Sequence, residues 1–93
     1  MIKKDAATEL ALKLRERIES WEGRFSTVSA AEIDGVLADI PALRVLMGNC
    51  NDLDRFAKYL TQMKQPGVDK QELGERAKHA IVSVHMMAFN VKD

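Results

Sequence analysis

Turned at 100° per residue, Ala7, Leu10, Ala11, Leu14, Ile18, Trp21 and Phe25 gather within about 100° of arc. Lys13, Glu16 and Glu19 fall outside it. An apolar stripe backed by charge predicts a long amphipathic helix over residues 4–23, ended near Gly23. Leu12 breaks the stripe and is expected in solvent, where a single leucine is ordinary. Ser29-Ala30-Ala31-Glu32 has the form of a capping box ahead of Ile33, Val36, Leu37 and Ile40, so a second helix should open near residue 30. Pro41 suits a first helical position and biases Ile40 toward extended backbone. A third, short helix is therefore expected from Pro41 to Gly48, carrying Leu43, Val45, Leu46 and Met47.

Asn49-Cys50-Asn51-Asp52 offers several caps for a fourth helix with Leu53, Phe56, Ala57, Leu60 and Met63 on one face. Pro66-Gly67 reads as a turn. Asp69-Lys70-Gln71-Glu72 then resembles a capping box with an acidic cap, opening a final helix to about residue 90. These elements predict an all-α fold, a compact bundle of about five helices with long first and last members and shorter ones between. The predicted core is Leu14, Ile18, Trp21, Ile33, Leu37, Leu46, Leu53, Phe56, Leu60, Leu73, Ala77, Val84 and Met87.

Ninety-three residues suit a single domain, with no repeat, low-complexity tract or Gly/Ser linker to divide it. Leu, Ile, Val and Phe make up about a quarter of the chain, above the fifth below which disorder is expected. Fourteen basic side chains against fourteen acidic ones remove the general electrostatic case for nucleic acid or an anionic membrane. One cysteine cannot form an internal disulfide, and no run approaches eighteen apolar residues, so a cytoplasmic location is expected. Glu9 to Lys13, Asp54 to Lys58 and Glu72 to Arg76 have the i,i+4 spacing of local ion pairs.

Chemical signals are sparse. His79 and His85 stand about 120° apart on their helix, with no Cys or carboxylate completing a metal set. Gly35, Gly48 and Gly74 are isolated and build no phosphate loop. Cys50, at a helix start, is the one conceivable nucleophile, but a lone cysteine beside capping residues reads as a small buried filler. No catalytic residue, metal, cofactor or small-molecule substrate is inferred, and the chain reads as a non-enzyme. A helix-turn-helix centred on Gly48 would put Arg44 at its small-residue position and Asp54 at a buried one, both against the motif.

The last helix is different. With Leu73 at 0°, Ala77, Ala80, Val84, Ala88 and Val91 lie within about 60° of it and form the expected core stripe. Phe89, Val82 and Met86 fall near 160°, 180° and 220°, a second apolar stripe limited to the C-terminal half. Nearer the N-terminus the same side carries Gln71, Glu75, Lys78 and His79. Either the domain covers this second stripe, or another chain does. The leading reading is a small helical adaptor, inhibitor or regulatory subunit that binds another protein through Val82, Met86, Phe89 and His85. An isologous homodimer is the simplest occupant. The alternative is a nucleic-acid-binding regulator without a standard helix-turn-helix.

If the thiol only packs, Cys50→Ser keeps the fold and the biological effect. Loss of the effect at unchanged stability would make Cys50 a reactive group.

Overall fold

The computed structural model describes residues 3–90. Five α-helices follow one another: α1 (Lys3–Glu19), α2 (Ala30–Leu37), α3 (Ile40–Met47), α4 (Asn51–Met63) and α5 (Lys70–Ala88). No strand occurs among the described residues, so the fold is all-α. α5 runs antiparallel to α1 along one flank, pairing Arg15 with His85 and Glu22 with Lys78. Its other flank lies on α4, where Cys50 meets Met87. α3 rests on α1 and α2 on α4.

The ends of the helices follow local chemistry. Ser29 Oγ accepts the Glu32 amide at 3.2 Å, and the Glu32 carboxylate accepts the Ser29 amide at 3.1 Å, completing the expected box. The Ser29 amide, helped by Arg24, holds the Glu32 carboxyl below its ordinary value. Its contribution is therefore present above the ordinary carboxylate range and lost as pH falls through the lowered one. Asp69 caps α5 by accepting the Glu72 amide at 3.1 Å, while Glu72 turns to Arg76 at 2.8 Å. Gly48 and Gly67 take φ of 75° and 77°, closing α3 and the turn after Pro66.

Four details differ from the sequence reading. α1 stops at Glu19, because Trp21 and Glu22 bond back to Ile18 and Glu19, three residues away, and Gly23 turns the chain at φ 80°. A 3₁₀ turn over Phe25–Thr27, not anticipated, then returns Phe25 to the core. Ile40 is the first residue of α3 instead of an extended one, since the chain stays right-handed helical through Ala38 and Asp39. The cap of α4 is Cys50, whose side chain makes no capping bond.

Leu14, Ile18, Trp21, Ile33, Leu53, Phe56, Leu60, Ala77 and Val84 are buried as expected. Leu37, Leu46 and Leu73 only lean on the core, and Met87 is 41% exposed. The cause is a rotation of α5. Its buried residues Gly74, Ala77, Ala80, Ile81, Val84, His85 and Ala88 span an arc centred near 50° from Leu73, so Leu73 and Met87 lie at its edge. The deepest positions also include Phe25, Val28, Leu43 and Met63, each buried phenylalanine or leucine contributing about 1.5–3 kcal/mol of transfer free energy.

Gly74 and Gly35 look alike in sequence but face different neighbours. A Cβ on Gly74 would overlap Cγ and Cδ1 of the buried Phe25 ring, which has nowhere to go. A Cβ on Gly35 would meet only the tip of Arg17, at 2.8 Å from Nη2. Gly74→Ala should destabilise the fold by about 1–3 kcal/mol despite the better helix propensity of alanine. Gly35→Ala should be neutral or stabilising by up to about 1 kcal/mol. Urea denaturation of the two variants checks the contrast.

Candidate functional site

α5 meets α1 at His85 and the turn that follows α1 at Gly74 and Lys78, and meets α4 on the side of Ala80, Ser83 and Met87. Both flanks are therefore occupied, yet the back of its C-terminal half is open. Met86 is 62% exposed and Phe89 51%, and Val82 between them is half-buried. The domain leaves Met86 and Phe89 of the second apolar stripe open and covers Val82 in part.

His85 is placed differently from the other three residues expected at a contact. It is buried beneath the stripe, not presented on it. Arg15 Nη1 lies 3.2 Å from His85 Nδ1, and a guanidinium can only donate, so Nδ1 is the acceptor in this arrangement. The imidazole in turn lies against Phe89, with centroids 5.3 Å apart and planes tilted by 42°. Arg15 is itself held by Glu19 at 3.3 Å. A chain of contacts thus runs from Glu19 through Arg15 and His85 to Phe89 at the surface. Sequence reasoning had no means of finding Arg15, which lies seventy residues away.

Phe89 forms one wall of a shallow groove whose other wall is Asp5, Thr8 and Glu9 of α1. Leu12, 39% exposed, follows one turn after Thr8 on the same helix. A second apolar depression lies between α3 and α4, lined by Leu37, Ile40, Pro41, Arg44, Val45 and Ala57. Val45 is 80% exposed there. Its position about 200° round α3 from the buried Leu43 was the available signal, and the sequence reading did not single it out.

Cys50 is buried, with its thiol 3.9 Å from the Met87 sulfur. The two residues that opposed a helix-turn-helix, Arg44 and Asp54, pair with each other across the turn between α3 and α4. Lys13 and Arg17 both reach Asp39 at 3.7 Å, and Lys64 reaches Asp34. These tertiary pairs replace the expected Glu9–Lys13 and Asp54–Lys58 contacts, whereas Glu72–Arg76 forms as spaced. Between α4 and α5, a polar cleft holds Asp52, Arg55, Tyr59, Arg76 and His79, with Arg55 paired to Asp52 at 3.6 Å.

Comparison with known proteins finds no matching family model, no similar curated protein and no similar solved structure. Among the described residues, no helix is long and apolar enough to cross a membrane.

Because the stripe lies outside the core, its side chains should matter little to stability. Met86→Ser should shift unfolding by less than about 0.5 kcal/mol and Phe89→Ser by about 1 kcal/mol. His85→Ala should cost about 1–3 kcal/mol, since it empties a buried site and leaves Arg15 with Glu19 as its one remaining acceptor among the described side chains. Thermal or urea unfolding of the three variants would reveal an internal stripe if Met86→Ser proved the most damaging.

Proposed function

We propose that this protein works by binding another protein through the back of α5, with Phe89, Met86 and Val82 as the apolar contact. The observation that supports this most is the exposure of Met86 and Phe89 on a helix whose two flanks are already packed. Adjacent exposed methionine and phenylalanine are costly to leave in water, and both types are enriched where proteins meet. Burying what remains exposed of Met86 and Phe89 would supply about 1–2 kcal/mol each, and Val82 less, before the costs of association. The clamp of Arg15 and His85 behind Phe89 adds preorganisation, because the ring is already positioned and loses less freedom on binding. Such a protein acts as an adaptor, inhibitor or regulatory subunit, its effect residing in what the surface holds.

The test compares wild type with Phe89→Ser and with Val45→Ser, the latter probing the depression on α3. Each is used as bait in extracts of the native host, with far-ultraviolet circular dichroism verifying the fold. Proteins retained by wild type and Val45→Ser but lost with Phe89→Ser are the expected result. Identical retention by all three baits, or loss only with Val45→Ser, would remove the α5 face as the site of action.

A further inference from the structure

The seam between α4 and α5 holds a cleft of about 220 Å³ that shares no residue with the apolar contact on the back of α5. The two helices run antiparallel there, since Cys50 at the start of α4 meets Met87 near the end of α5. Asp52, Arg55 and Tyr59 line the cleft from α4, and Arg76, His79 and Ser83 line it from α5. Both rows have i, i+3, i+7 spacing, so each set shares one face of its helix. Ala80 completes the lining, and its short side chain leaves space that a larger one would fill.

The supply of hydrogen-bond donors gives this cleft its character, more than its net charge. Each guanidinium carries a fork of N–H donors and no acceptor. Arg76 gives one donor to Glu72 at 2.8 Å. Arg55 stands 3.6 Å from Asp52, near enough for attraction and too far for a hydrogen bond. The side chains of Tyr59, His79 and Ser83 make no hydrogen bond to another described residue. Asp52 is the one carboxylate in the lining. The two ion pairs therefore offset charge without exhausting the donors, and exposed pairs of this kind are weak enough for a better acceptor to redirect them.

We propose that this cleft binds a small phosphate monoester. A phosphate fits because its oxygens accept from several directions, so one group can take donors from both helices at once. Asp52 repels an anion at its own end of the cleft, beside Ser83 in the antiparallel register. The phosphate therefore belongs at the other end, among Arg76, His79 and Tyr59, with Arg55 reaching it from between the two. An ester fits better than the free anion, because the space exceeds one phosphate group and the wall includes Ala80 and the half-buried ring of Tyr59.

The probes are inorganic phosphate and phenyl phosphate, titrated at constant pH and ionic strength. The protein has two histidines, so the imidazole proton resonances of His79 report the cleft and those of buried His85 serve as an internal reference. The expected result is a saturable shift of His79 with a Kd in the millimolar range and His85 unmoved, phenyl phosphate binding at least about threefold more tightly than phosphate. The Arg55→Gln, Arg76→Gln double variant should weaken phenyl phosphate binding at least about tenfold with helical content unchanged. Arg24→Gln, which removes an exposed arginine paired with Glu32 outside the cleft, should bind as wild type does. Absence of a saturable His79 shift, equal shifts at both histidines, or wild-type affinity in the double variant would overturn the proposal. So would an equal loss in Arg24→Gln, which would show a general attraction to cationic surface. Equal affinity for the two probes would refute the ester and assign the cleft to the free anion.

Discussion

The fold depends on the close approach that small residues allow on the buried side of α5. Gly74, Ala77, Ala80 and Ala88 are set there among the larger Ile81, Val84 and His85. Small positions let neighbouring elements come near, as the Phe25 ring does at Gly74, while the larger ones fill the interior with Leu14, Phe56 and Leu60. Added bulk at Gly74 would press directly on the buried Phe25 ring. The constraint also explains why α5 lacks the sharp apolar stripe of α4. A helix supporting two neighbours needs a wide, shallow buried arc, and alanine and glycine supply it with little hydrophobic signal.

That central position leaves the helix one free side. α1 and α4 take the flanks, and α2 and α3 are engaged on α4 and α1, so none of the described helices lies over the C-terminal back of α5. Met86 and Phe89 are exposed for this reason. The Arg15–His85 contact lies beneath them, with the imidazole set against the Phe89 ring. A side chain held from behind presents a defined shape to a partner, whereas one free to rotate would lose that freedom on binding.

Charge is organised by the same packing. Ion pairs that look natural along a single helix give way to pairs between helices, as Lys13 leaves Glu9 for Asp39 and Asp54 leaves Lys58 for Arg44. At these exposed sites a pair contributes well under about 1 kcal/mol, so small differences in reach decide the partner. Lys13 and Arg17 of α1 reach Asp39 and share a surface depression with Glu9, Leu12 and Glu16, and Arg15 is held by Glu19, so both signs are interspersed along this helix.

The helices can be placed without coordinates, because caps, turn glycines and the 3.6-residue period are local and need no knowledge of neighbours. The Ser29–Glu32 box, the Asp69 cap and the stops at Gly48 and Pro66-Gly67 are all legible that way. The second stripe at Val82, Met86 and Phe89 was equally legible, since it is a matter of angle along one helix. Whether it was covered was not, for cover depends on how many helices surround α5 and on which sides. Packing across the chain leaves Met86 and Phe89 open, sets His85 beneath them on an arginine seventy residues away, and rotates α5 enough to expose Met87. It also separated Gly74 from Gly35, as the space a Cβ would need is defined by Phe25 or Arg17 arriving from elsewhere in the chain. Periodicity reports the direction of each side chain from its own axis, and only packing reports what stands in that direction.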